Sequence, residues 1–296
     1  MDNIYLTLFY IFRFFIKFTP NFILNFLLNF LASFIYFFDR KHRRIVKVNL
    51  DLAYENKLTD EEKTKITKDC YKNLIYLLAD FIKNQGATKD EILDKVSFIN
   101  SEILEEALLE NKKIIIMTAH YGNWELLSLS IAAKFTPLSI VGRDLDSQIM
   151  NKILAKNREQ FDIELLSKTG AMKGMVKALK SNRPVGLLVD QNTKSNEGIL
   201  IDFFGKKARH TTSIAVLAKK FDAIIIPAFI QTSDHLNYIV KFFEPILVED
   251  TEDKENDIRK CVQKQADVTQ RIIEEKPEEW FWLHKRWKNQ YEGLYK

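Results

Sequence analysis

From residue 113 onward, short apolar runs rich in β-branched residues alternate with stretches of helical spacing. The strand candidates are 113–118, 138–142, 163–166, 185–189, 223–230 and 238–243. Helical patterns fall near 123–134, 146–160, 170–181 and 211–221, with another at about 256–275. A strand followed by a helix, repeated at this spacing with short linkers, is expected to give an α/β fold. The expectation is a mainly parallel mixed sheet flanked by helices, with an antiparallel edge. Ahead of it, Thr59 and Glu62 have capping-box spacing. Cys70, Leu74, Leu77, Leu78 and Phe81 then line one helix face.

The first 38 residues differ from the rest. Ile4 to Phe12 are apolar, Arg13 and Lys17 interrupt them, and Pro20 breaks the pattern or starts a new helix. Residues 22–38 carry no formal charge but include Asn25 and Asn29. A helix of that length spans about 25 Å, short for a hydrocarbon core of about 30 Å. Spanning and interfacial anchoring both stay open, and a hairpin buried in a soluble core is the third reading. The segment lacks the basic start and small-residue cleavage site of a signal peptide. Arg40, Lys41, Arg43, Arg44 and Lys47 come next, a cluster suited to the cytoplasmic side and to anionic head groups. The expected organisation is a membrane-anchoring helical segment, 1–39, and one catalytic domain, 40–296.

A net charge of +4 is too mild to point to nucleic acid, and no nucleic-acid recognition motif is present. Two distant cysteines make no disulfide framework and fit a reducing, cytosol-facing domain. The five histidines, at 42, 120, 210, 235 and 284, have no metal-cluster spacing. No Walker loop, GxGxxG or GxSxG elbow occurs.

The candidate chemistry sits in IIIMTAHYGNWELLSL, where an apolar run ends in His120. Ligands of α/β sheets collect beyond the carboxyl ends of strands. Gly122 permits a tight turn, Asn123 suits a helix cap, and Glu125 lies two residues further on. In a continuous helix His120 and Glu125 would lie about 140° apart; only a turn between them lets the acid reach the ring. Such a pair suits a general base that takes a proton from an alcohol attacking a carbonyl. A structural histidine and a helix-start glutamate favoured by the macrodipole are the alternative.

HYGNWE, together with several later blocks of the chain, resembles the lysophospholipid-type acyltransferase superfamily and, within it, the lipid A late acyltransferases. RRIVKVNLDLAY, VGRDLDSQIMNKILAKNR, RPVGLLVDQN, FFGKKARHTTSIAVLAKK and the terminal WFWLHKRWK fit the same pattern in order. The resemblance implies transfer of a fatty acyl chain from acyl carrier protein to a hydroxyl of a lipid A precursor, without a cofactor or metal. It implies His120 as base and Glu125 as its partner. Arg143 and Arg158 would bind phosphate or the thioester oxyanion, and Asp190 and Gln191 would order the site or bind the acceptor. Arg209, with its neighbours, would meet phosphate at a helix start. Surface charge, an intrachain salt bridge or a cap remain alternatives for these residues. The terminal aromatics suit a membrane interface or edge packing, and His284 is read as structural. The implied place is the cytoplasmic face of the inner membrane, in contact with membrane lipid. Acylation of another glycolipid or a glycerophospholipid, and an inactive lipid-binding homologue, are the competing readings.

Overall fold

The computed structural model describes residues 2–142 and 147–296. Three helices come first: α1 (Asp2–Phe18), α2 (Asn21–Phe38) and α3 (Arg40–Tyr54). The long α4 (Asp60–Lys83) and short α5 (Lys89–Leu93) lead to β1 (Val96–Ile99) and α6 (Glu102–Leu109). Alternation then sets in, with β2 (Ile114–Thr118), α7 (Trp124–Lys134), β3 (Ser139–Gly142) and α8 (Gln148–Arg158). It continues through β4 (Glu164–Ser167), α9 (Ala171–Lys180) and β5 (Val185–Leu188). A hairpin of β6 (Gly198–Phe203) and β7 (Lys206–Thr211) precedes α10 (Ser213–Phe221) and β8 (Ile224–Thr232). Last come β9 (Tyr238–Phe242), α11 (Lys254–Glu275) and the single turn α12 (Lys288–Tyr291).

Seven strands form one sheet in the order β1-β9-β8-β2-β5-β3-β4. All neighbours are parallel except β8 and β9. This is the mainly parallel mixed sheet the alternation called for, with its antiparallel step toward one edge. β2 shows why its sequence is an unbroken apolar run: all five residues are buried. Ile115 and Met117 enter a core with α3, α9, α10 and α11, while Ile114 and Ile116 face α6 and α7. A strand covered on both faces has no polar side to alternate with.

Local signals set the helix starts. Thr59 and Glu62 make the reciprocal capping box of α4, at 3.2 and 2.7 Å. Asn123 Oδ1 accepts from the Leu126 N–H at 3.1 Å and caps α7. The long α4 is buried along two sides, because Cys70 and Leu77 face the body while Ile75, Tyr76 and Ala79 face α2. Leu78, placed on the inner face by spacing, is 48% exposed.

The sequence pattern did not mark β1 or the β6–β7 hairpin. β1 is a four-residue edge strand with alternating exposure. The hairpin turns through Phe204 and Gly205, both at positive φ, with Phe203 paired to Lys206. That two-residue geometry is the one that matches strand twist, but the polar run KKARH hides the second strand.

Gly122, at φ +57, has the closest approach of any glycine. A Cβ there would lie 1.9 Å from the Ile230 carbonyl oxygen. Gly122→Ala is therefore expected to cost at least about 1–3 kcal/mol, read as a lowered thermal midpoint against the parent. An unchanged midpoint would mean that the turn relaxes without cost.

Candidate active site

β2 and β5 pair in parallel with Thr118 opposite Leu188. Two residues further on, the same register sets His120 opposite Asp190. The Nδ1 of His120 lies 2.9 Å from Asp190 Oδ1, and the His120 backbone N–H donates to that oxygen at 3.1 Å. Asp190 Oδ2 accepts from Trp280 Nε1–H at 2.8 Å. Burial alone would raise the Asp190 pKa. The charge of His120 and the hydrogen bonds from His120 and Trp280 outweigh it and hold the carboxyl well below the usual carboxylate range. An ionised carboxylate only accepts, so Nδ1 carries the ring proton of the neutral imidazole and Nε2 presents the lone pair. Gln191 Nε2 stands 3.3 Å from that nitrogen, placed to donate to it.

Glu125 is not the acid on the ring. It makes a two-point ion pair with Arg158 of α8, at 2.9 and 2.5 Å. The reason is backbone geometry. The turn between His120 and α7 is pinned to the carboxyl-terminal segment: Phe281 N–H donates to His120 O and Gly122 N–H to Glu279 O, both at 2.9 Å. Tyr121 also bridges Trp280. Asn123 then starts α7 at once, and the first helical turn aims Glu125 toward α8. Burial lowers the Arg158 pKa, and the Glu125 carboxylate more than restores it.

Gln191 and Asp190 thus join His120, while Arg158 joins Glu125. The Arg158 Nη1 lies beside Gly142, the last residue of β3, where a Cβ would come within 2.8 Å of it. Arg209 is turned away from the pair, with Nη1 donating to the carbonyls of Ser195 and Gly198 at 2.9 and 2.7 Å. It braces the loop into β6 and does not cap a helix. Arg143 lies outside the described residues.

The structure adds residues that spacing did not single out. Trp124 and Phe281 flank the imidazole, with ring centroids 5.2 and 6.1 Å from it. They leave a small crevice also lined by Leu74 and Leu77. Trp280, Trp282 and Trp287 are all buried, so these terminal aromatics are core and site scaffold. His284 Nε2 accepts the Asn192 N–H at 3.0 Å and holds the turn that carries Asp190 and Gln191. Burial pushes its pKa down to about 4, which keeps the nitrogen free to accept. The WFWLH run was the available signal; what it lacked was any clue to its partner. Among the described residues no His, Cys, Asp and Glu cluster has a metal site's make-up.

A histidine oriented by an ionised aspartate at the carboxyl edge of a parallel sheet has the geometry that general-base chemistry requires. Residues 2–289 match the family described as bacterial lipid A biosynthesis acyltransferase, and the chain belongs to that family. Among its relatives is the phosphatidylinositol mannoside acyltransferase of Mycolicibacterium smegmatis, 24% identical over 138 residues, 45% of each chain. The lipid A biosynthesis acyltransferase of Haemophilus influenzae is 17% identical, over 64% of this chain and 59% of that protein. The chain thus spans less than two thirds of the length of these two. The lipid A biosynthesis lauroyltransferase of Escherichia coli is 21% identical, over 87% of this chain and 82% of that one.

His210, which is buried, and the half-buried His235 and His284 couple the fold to pH. Burial is the first cause in each case and lowers His210 to about 3, and His235 and His284 to about 4. All three lie below the unfolded value near 6.5. Their contribution is complete above pH 6.5 and is lost as pH falls toward 4, because the unfolded chain takes up the protons. Urea unfolding is expected to lose about 1.4 kcal/mol per pH unit for each histidine over that window. A stability that stays level from pH 7 to pH 5 would show that the rings are already charged in the fold.

Proposed function

We propose that this chain is a membrane-bound O-acyltransferase that moves a fatty acyl chain from acyl carrier protein to a hydroxyl of a lipid A precursor. The observation that carries the reading is the His120–Asp190 pair, whose Nε2 lone pair faces a displaceable amide. Family membership across residues 2–289 supplies the acyl transfer. In this reading the acceptor hydroxyl replaces the Gln191 amide at Nε2 and gives its proton to the ring as its oxygen attacks the thioester carbon. Asp190 stabilises the imidazolium and fixes its tautomer. Collapse of the tetrahedral intermediate breaks the C–S bond, and the imidazolium proton goes to the departing thiolate. No serine or cysteine nucleophile is required, because the acceptor supplies the oxygen.

Glu125 then serves indirectly, by holding Arg158 at the end of β3. Arg158, with Arg143, the next residue in sequence after β3, is assigned to phosphate or the thioester oxygen, as fixed positive charge does in a site shielded from water. The apolar α2 supports attachment to the inner membrane, with the catalytic domain on its cytoplasmic face. A second acceptor is favoured by the mannoside acyltransferase relatives, namely a mannosylated inositol glycolipid.

His120→Ala is expected to lower turnover by about 10²-fold or more. Asp190→Asn, which keeps shape but frees the tautomer, should lower kcat by a similar factor with KM little changed. Glu125→Gln should act differently. It strands the largely shielded Arg158 charge and is expected to cost about 1–3 kcal/mol of stability, visible as a lower thermal midpoint. Full turnover in His120→Ala, assayed with acyl carrier protein thioester and a lipid A precursor, would remove the base assignment. Mass spectra of lipids from a strain lacking the gene decide the acceptor. One missing acyl chain on lipid A supports the first reading, and a change confined to glycolipid supports the second.

A further inference from the structure

α2 presents two opposite sides. Leu24, Leu28, Ala32 and Ile35 pack against Ile75, Tyr76 and Ala79 of α4. On the side turned away, Phe22, Phe26, Phe30 and Phe34 repeat every fourth residue, one row on a helix surface, and are 51–74% exposed. α1 extends the apolar surface with Phe14, Phe15 and Phe18, each at least 60% exposed. An apolar surface of this kind on a water-soluble body marks contact with a partner or a membrane.

The packing of α2 restricts how it can meet a bilayer. It runs antiparallel beside α4: Tyr76 Oη reaches the Asn25 carbonyl near one end, and the Tyr36 and Tyr71 rings meet 5.7 Å apart near the other. Along that length Lys68 and Lys72 of α4 hold their ammonium groups over the Tyr36 and Tyr76 rings, at 5.8 and 5.7 Å. Arg43 donates to the Tyr36 and Phe37 carbonyls and Arg13 of α1 to the Gln85 carbonyl. If α2 crossed the bilayer in this arrangement, the paired length of α4 would enter with it, and Lys72, between the two ends, would lie in the hydrocarbon, where a cation is strongly disfavoured. Lying flat, α2 keeps α4 on the water side while its phenylalanine row enters the acyl region. Arg40, Lys41 and Arg44, just past the end of α2, are exposed and have no acidic partner among the described residues. They fit anionic head groups at the edge of such a surface.

We propose that α1 and α2 lie in the plane of one leaflet, phenylalanines down and basic rim at the head groups, and do not cross the bilayer. This inference rests on the membrane-bound reading, but none of its readouts uses turnover, so a failed acyltransferase assay leaves it standing.

The test uses the full chain bound to sealed vesicles of phosphatidylcholine with 30% phosphatidylglycerol, a proportion of about one anionic lipid in three. The environment-sensitive dye NBD is attached at Phe22→Cys, Phe30→Cys or Phe37→Cys; the native Cys70 and Cys261 are buried. In-plane seating gives all three labels one shallow depth, quenched more by a nitroxide near the head groups than by one deep in the chains. Dithionite added outside then bleaches all three. A deep label at position 30 with a dithionite-protected label at position 22 would overturn the proposal, as would three labels that stay in water. Replacing Arg40, Lys41 and Arg44 with Gln should weaken partition by up to about fivefold per charge in the anionic vesicles and little in pure phosphatidylcholine. Equal partition of that variant and the parent into both lipids would overturn the role of the rim.

Discussion

Parallel pairing of β2 with β5 brings together two chain segments separated by seventy residues, and the His120–Asp190 pair depends on it. The strands stop at Thr118 and Leu188, and the two residues after each turn toward one another. Asp190 then reaches both the ring and the backbone N–H of His120. A slip of one residue in this pairing would turn side chains to the opposite face and separate His120 from Asp190. Such a slip would forfeit both contacts of Asp190 with His120 at once.

The site has a second support in the carboxyl-terminal segment. Residues 279–281 lie alongside the His120 turn, and α4 holds that segment from behind. Cys70 Sγ donates to the Trp280 carbonyl at 3.3 Å, and Asn73 Nδ2 to that of Glu278 at 2.7 Å. Glu279, buried, takes the Thr232 N–H and the Lys276 ammonium. Asn49 of α3 reaches further along, donating to the Trp282 and His284 carbonyls. These contacts satisfy polar groups that would otherwise be stranded in the interior. They also make the imidazole one member of a framework drawn from distant parts of the chain.

The sheet class and six of the seven strands of the main sheet were legible in the sequence, because fully buried strands separated by helices leave an apolar rhythm that solvent-facing segments lack. Thr59–Glu62 and Asn123 were legible because capping chemistry is local. The partner of His120 was not. Glu125 is close in sequence and carries the right group, whereas Asp190 becomes adjacent only once β5 is known to lie beside β2. Spacing along the chain reports caps and neighbours within one helical turn well and strand neighbours not at all. Trp280 and His284 were hidden for the same reason: their partners, Asp190 and Asn192, lie some ninety residues earlier. The resemblance named Asp190 and Gln191 as site residues but could not say which of them touches the ring.

Placing Glu125 on Arg158 instead of His120 has a chemical consequence. Two carboxylates on one imidazole would repel one another and would both favour its proton, which makes a base reluctant to release it. With Glu125 paired to the Arg158 guanidinium, Asp190 is the one carboxylate acting directly on the ring among the described residues, and Trp280 draws part of the Asp190 charge to its other oxygen. The ring therefore keeps one strong orienting contact on Nδ1 and one weak, replaceable contact on Nε2. That asymmetry is what a base needs if it must take a proton from a hydroxyl and later surrender it to a leaving thiolate. α7 enforces the division, since its capped first turn directs Glu125 to α8 before the chain can bend back toward the histidine.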